Sequence, residues 1–356
     1  MVTRRVQAVQ NALQTGEAFL VTSDVNRFYY TGFRSSAGAV LLTKDDATLL
    51  IDFRYFEKAK REVSSCAVKL SQNQTADVQE WVRQHGVHRL YIEVNRTTVG
   101  RFVALTSALE GVEVSKSDKL DTFTDKMRSI KTAEEIALIQ QAQKYTDATF
   151  AYILDRIEVG RTELEVMLDM EFHMRQMGSE GVSFDFIVVS GQNTSLPHGV
   201  PTDKKIVRGD LITMDFGAVY QGYRSDMTRT VAVGEVNEEQ LRVYETVLQA
   251  QLVAEQAVRA GVVCKDVDKV ARDLINEAGY EGCFGHGLGH GVGIEIHENP
   301  SFNTRCETVL QPGMILTNEP GIYLEGKFGV RIEDMLCVTD DGCLNMTSSD
   351  KRLIVL

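Results

Sequence analysis

The 356-residue sequence has no excess of basic residues: 38 Lys+Arg stand against 50 Asp+Glu, a formal net charge of −12. A phosphate backbone is bound by clustered Lys and Arg, so this balance argues against nucleic acid as a general partner. No apolar run approaches the ~18 residues of a membrane span, and no membrane partner is expected. The N-terminal Met1-Val2-Thr3-Arg4-Arg5 lacks an apolar run behind its basic residues and continues as an amphipathic stretch, Val6 to Leu13. The expectation is a cytoplasmic protein without a signal peptide. The six cysteines form no CxxC pair and read as reduced thiols. There is no short-period repeat. The Gly-rich run 285–293 fits no GxGxxG frame. Gly287, Gly289 and Val292 is the nearest miss, which removes dinucleotide binding.

What is present is an ordinary globular balance with enough apolar residues for real cores. At roughly 150 residues per domain, the length suggests two domains. Through residue 120, short β-like runs (18–21, 38–42, 48–51, 68–70, 90–93) alternate with helical runs (54–63, 76–84, 98–109), the pattern of an α/β domain. The polar, weakly periodic stretch 115–131 reads as a linker. Capping boxes at Thr132/Glu135 and Thr162/Glu165 open two helices, expected to end at Gly160 and near Gly178. Asn237 and Gln240 cap a third, running to Gly261, and a fourth covers 266–278. Strands are expected at 183–189, 211–218, 223–233, 314–318 and 330–338. The second half is therefore an α+β domain with antiparallel hairpins.

Two of those hairpins carry paired acids. With Gln221-Gly222 as the turn, Asp215 lies opposite Thr228. Asp226, two residues from Thr228, then shares the same face. Like charges this close are unfavourable unless something neutralises them. Taken alone, the pattern also fits two solvated aspartates beside a turn. The second hairpin places Glu319 and Glu333 around a loop near Gly326, with Arg331 on the face of Glu333. His198, His286, His290 and His297 fall on Gly- or Pro-rich segments beside these hairpins, where chemistry is usually displayed. His286 could serve as support or as part of a site. His85, His88 and His173 read as surface residues.

In the local sequences MDFG, SDMTRT, GHGLGHGVG, NEPG and RIED, the series Asp215, Asp226, His290, Glu319, Glu333 resembles the ligand set of a known superfamily. It is that of the dinuclear metallopeptidases related to methionine aminopeptidase and prolidase, which share the pita-bread fold. Residues 28–33 (FYYTGF) and 49–55 (LLIDFRY) resemble the creatinase/prolidase N-terminal domain. Methionine aminopeptidases generally lack that domain and an arginine like that of RIED. The resemblance is therefore to the Xaa-Pro dipeptidase and Xaa-Pro aminopeptidase (aminopeptidase P) branch of peptidase family M24.

The resemblance implies an α/β N-terminal domain over 1–122, a linker over 123–131 and an α+β pita-bread catalytic domain over 132–356. It implies that Asp215 chelates one metal, that Asp226 and Glu333 bridge two, and that His290 and Glu319 complete the second. His198 and His297 would line the site, Glu319 would carry the proton, and Arg331 would touch the substrate or support the ligands. It also implies a homodimer acting on proline-containing dipeptides through a hydroxide shared by the metals. The alternatives are an aminopeptidase P on longer peptides and a non-catalytic binding protein on the same fold. Four carboxylates and one imidazole, without thiolate, suit Mn²⁺ first, with Co²⁺, Fe²⁺ or Zn²⁺ as alternatives. The four negative charges would balance two divalent cations.

Overall fold

Alternating strand and helix signals in the first part of the chain become a mixed sheet with helices around it. The computed structural model describes residues 1–356 and divides into two units, Met1–Met127 and Arg128–Leu356. The first unit holds helices α1 (Val2–Ala12), α2 (Asp24–Thr31), α3 (Phe53–Glu62), α4 (Gln74–Gln84), α5 (Val99–Ala108) and all but the last two residues of α6 (Lys119–Ser129). Its strands are β1 (Glu17–Val21), β2 (Ala39–Thr43), β3 (Ala47–Ile51), β4 (Ala67–Leu70), β5 (Arg89–Ile92) and β6 (Glu113–Ser115). They form one sheet in the order β4-β3-β2-β1-β5-β6. The hairpin β2–β3 and the pair β1–β2 are antiparallel, and the outer pairs are parallel. Ser23, Asp52, Asn73 and Thr98 each accept a backbone N–H at a helix start, which fixes where α2 to α5 begin.

The stretch read as a linker holds α6 instead. Its buried positions include Leu120, Thr124 and Arg128, four residues apart, and only the first is apolar. A helical face made of Thr and Arg carries no hydrophobic period, so polarity was mistaken for looseness. Within the first unit, Thr124 is paired by hydrogen bond with the Tyr30 hydroxyl at 2.6 Å.

The second unit contains α7 (Ala133–Leu154), α8 (Glu163–Gln176), α9 (Glu238–Ala257) and α10 (Cys264–Ile275). Strands β7 (Ile187–Ser190), β8 (Leu211–Phe216) and β11 (Met227–Ala232) form a three-stranded sheet, β11-β8-β7. Between β8 and β11, the short ribbon β9 (Val219–Tyr220) and β10 (Tyr223–Arg224) carries the turn. A five-stranded sheet in the order β13-β12-β14-β17-β18 is made by β12 (Gly289–Gly291), β13 (Glu298–Phe302), β14 (Ile315–Asn318), β17 (Asp334–Val338) and β18 (Cys343–Asn345). The ribbon β15 (Gly321–Leu324) with β16 (Phe328–Arg331) lies between β14 and β17 in sequence.

Each sheet is backed by two helices. Phe150, Ile153, Val166 and Met170 from α7 and α8 pack with Met214 and Phe216. Val243, Val247, Val267 and Ala271 from α9 and α10 pack with Leu316 and Leu336. The three capping boxes form as expected. Helix α7 stops at Leu154, short of Gly160. The strand expected over 183–189 begins only at Ile187, and residues 184–187 wall a cavity instead. The strand expected over 330–338 is broken at Ile332-Glu333, a break that matters for the site.

Candidate metal centre

Register places the first pair of acids. Gln221 and Gly222 both have positive φ, 43° and 87°, the backbone of a tight hairpin turn. Pairing back from that turn sets Thr228 opposite Asp215. Asp226 sits just before β11 and is 4% exposed. Gly217 makes the close approach of the two arms possible, because a Cβ there would lie 1.9 Å from the Ser225 carbonyl oxygen.

The break between β16 and β17 places the second pair. Glu333 turns toward the first sheet: its N–H donates to the Thr228 carbonyl at 3.1 Å, and Thr228 Oγ1 donates to Glu333 Oε2 at 2.7 Å. Arg331 Nε donates to the same Thr228 hydroxyl at 3.0 Å. Thr228 thus binds the two acid hairpins together. Glu319, at the end of β14, donates its N–H to Leu288 and accepts Thr317 Oγ1 at 3.1 Å. Thr317 Oγ1 also accepts the His290 N–H at 3.0 Å, so one hydroxyl sets both residues.

His290, on β12, pairs its Nδ1 with the Gly291 carbonyl at 3.1 Å. A carbonyl only accepts, so Nδ1 carries the proton and Nε2 presents a lone pair. Nε2 lies 3.5 Å from Asp226 Oδ2 and 3.5 Å from Glu319 Oε1. Burial, with His297 alongside, pushes the His290 pKa down to about 4, so the ring is neutral. A neutral lone pair facing two carboxylates has nothing between them to bind unless a cation stands there.

Ligand atoms of Asp226, His290 and Glu333 all lie within 4.8 Å of one another. Asp215 Oδ1 and Asp226 Oδ1 are buried and have no hydrogen-bond partner. Burial, then Glu333 and Asp215, push the Asp226 pKa well up. Burial and the neighbouring carboxylates do the same to Glu333, and burial raises Glu319 to about 8. Orphaned buried oxygens, mutually repelling carboxylates and an unprotonated imidazole nitrogen fit a divalent-cation site.

Asp215 lines the same cavity, with Oδ2 held by Arg331 at 2.6 Å. Arg331 is buried, and its Nη1 donates to the Tyr323 hydroxyl at 2.8 Å and the Pro197 carbonyl at 3.2 Å. Its donors therefore meet protein, and they orient Asp215. The cavity, about 1040 Å³, also receives His198, His286 and His297. His297 stands edge-on to His290, ring centroids 4.3 Å apart. The next residue, Glu298, anchors it. Glu298 accepts the N–H groups of Ile294 and Glu295 and pairs with Arg128 and Lys131. His286 bonds the Tyr323 hydroxyl at 3.0 Å through Nε2 and the Gly287 carbonyl at 2.8 Å through Nδ1.

Sequence reasoning missed Tyr323, Thr228, Thr317 and Glu298 as parts of this centre. Tyr323, Thr228 and Thr317 act on a ligand or lining residue through a hydrogen bond, and Glu298 holds the backbone next to His297; nothing in local spacing marks such a partner. His85, His88 and His173 lie away from the cavity lining.

Residues 137–340 match the model of metallopeptidase family M24, and residues 5–130 match the creatinase/prolidase N-terminal domain. The chain is 37% identical to the Xaa-Pro dipeptidase of Pyrococcus furiosus over 335 residues, 94% of each chain. It is similar to the solved Xaa-Pro dipeptidase of Bacillus anthracis, with a TM-score of 0.94 and 39% identity, covering 100% of this chain and 99% of that one. It is also similar to the X-Pro aminopeptidase of Thermotoga maritima, with a TM-score of 0.91 and 35% identity, covering 98% and 100%.

Proposed function

The chain belongs to metallopeptidase family M24, with a creatinase/prolidase N-terminal domain before a pita-bread domain, and from that membership we propose that it hydrolyses the Xaa-Pro bond of dipeptides. The observation that carries the reading is the neutral His290 Nε2 turned toward Asp226 and Glu319 beside two orphaned carboxylate oxygens. Asp215, Asp226, His290, Glu319 and Glu333 would hold two divalent ions, Mn²⁺ first among them. Bound there, such ions supply Lewis acidity and lower the pKa of water toward about 7.

The protein's own residues supply the rest. Glu319, oriented by Thr317, takes the proton of the attacking water and delivers it to the leaving nitrogen. That nitrogen belongs to a tertiary amide without an N–H, so it leaves only when a proton is brought to it. His198 and His297, on the cavity wall, donate to the developing oxyanion. Burial lowers the His297 pKa, which keeps the ring neutral with one N–H to give. Arg331 acts on Asp215 and holds it in place.

The reading includes a homodimer working in the cytoplasm, as the family resemblance implies. Assay of Xaa-Pro dipeptides beside Xaa-Pro-Yaa tripeptides, with Mn²⁺, tests the substrate class. Turnover of dipeptides alone is expected. Release of the N-terminal residue from the tripeptides would replace the reading with an aminopeptidase P, and no turnover of either would leave a binding protein.

A further inference from the structure

The segment from Ser190 to Thr202 carries His198 at the cavity wall. The His198 ring is exposed, so its place is set by the backbone beneath it. A side chain from another element closes that backbone. Glu163, the first residue of α8, is 0% exposed. Its Oε1 accepts the Ser190 N–H at 2.6 Å, the Ser190 hydroxyl at 2.9 Å and the Asn193 amide at 3.0 Å. Its Oε2 accepts the Thr202 N–H at 3.0 Å and the Thr202 hydroxyl at 2.7 Å. One oxygen holds the segment where it leaves β7. The other holds it where it ends and also accepts the Asn193 amide at 3.3 Å.

Helix capping does not explain this carboxylate, because Thr162 and Glu165 already form the capping box of α8. Nor does an ion pair. The nearby Lys204 ammonium is spent on the Ser190 hydroxyl and on Asp210, both at 2.8 Å. A buried carboxylate satisfied by neutral donors is costly to place. Here every one of those donors belongs to the two ends of a single segment. Within it, Gly199 presses so closely that a Cβ would lie 2.8 Å from Val189 Cγ1, so the backbone beside His198 has little room to move.

We propose that Glu163 is the positioning residue for His198, fixing both ends of the Ser190–Thr202 segment so that the imidazole meets the tetrahedral intermediate. The proposal rests on the role given above to His198. A misplacement of about 1 Å in such a group can cost a hundredfold in rate.

The test is a double-mutant cycle on the Mn²⁺-loaded enzyme with a proline dipeptide: E163Q and H198A, singly and together. An amide at position 163 turns an NH2 toward donors and breaks one side of the clamp. E163Q is expected to keep its metal content and KM and to lose about 10–100-fold in kcat. In the H198A background the same substitution should change kcat by less than about twofold, because the two residues act as a unit. Thr202→Val removes one bond to Oε2 and spares the backbone N–H. It should show the same dependence on His198, and it decides the matter if E163Q does not fold. Equal losses in both backgrounds, or a wild-type kcat for E163Q and Thr202→Val, would overturn the clamp. An H198A enzyme with wild-type kcat would overturn the role of His198 and the clamp with it.

Discussion

Single side chains in the centre differ in what their loss removes. Asp226 and Glu333 offer ligand atoms to the same point, and burial drives both toward the protonated form when nothing offsets their charge. Asp226→Asn is therefore expected to lose metal and nearly all turnover. Metal analysis after dialysis checks this, and a full complement of metal with full activity would remove Asp226 from the ligand set. Glu298 is a different case. Burial raises its pKa, but Lys131 and Arg128 outweigh burial and hold it at about 2. A depressed carboxylate stabilises the fold above its unfolded value of about 4.3, and that contribution fades as pH falls from there toward 2. Glu298→Ala strands the buried Lys131 and leaves Arg128 with Glu295 as its partner, and is expected to cost about 3–5 kcal/mol. Denaturant unfolding at pH 7 measures it, and a cost under about 1 kcal/mol would mean that water reaches the pair.

At the scale of the element, the two acid hairpins were legible for different reasons. The first follows from strand alternation and a turn with a glycine, so Thr228 could be set opposite Asp215 from sequence alone. The order of ligands through the second hairpin was legible only through its resemblance to a family. The break at Ile332-Glu333 has no local signal, since Val330 and Ile332 read as one alternating run. Helix α6 was missed because Thr124 and Arg128 occupy its buried face. Glu163 lies between Thr162 and Glu165 of a capping box, and nothing local marks its role, because its partners lie 27 to 39 residues away. Gly217 belongs to the MDFG sequence, and its need is steric, since the hairpin arms leave no room for a Cβ there. Gly217→Ala puts a Cβ against the Ser225 carbonyl and should cost upward of about 3 kcal/mol, in the range of severe core substitutions. Thermal unfolding checks this, and an unchanged Tm would show that the hairpin arms can part without penalty.

At the scale of the whole molecule, the acidic excess has two components. Four acids of the 50 sit in the candidate centre, and two divalent ions there would take the formal charge from −12 to −8. Others, such as Glu163 and Glu298, are buried and structural, and the exposed acids favour solubility. Removal of metal should therefore change how stability depends on pH. Without it, Asp226, Glu319 and Glu333 have raised folded values, Glu319 at about 8. Between about 4.3 and 8 the folded state then holds protons that the unfolded chain has released, so stability falls as pH rises through that window. With metal the carboxylates stay ionised in both states and the slope should flatten. Tm measured from pH 5 to 8 with and without chelator tests the pair of curves, and a chelated protein that gains stability with pH would contradict it.

The two hairpins also divide ownership of the centre. Asp215 and Asp226 come from the chain before α9, whereas His290, Glu319 and Glu333 come from the chain after α10. Neither stretch owns a complete set. The centre is a conjunction in the logical sense: it exists only when both halves of the unit have folded and docked through Thr228. Metal occupancy would then report, in one quantity, that the two stretches have met in register.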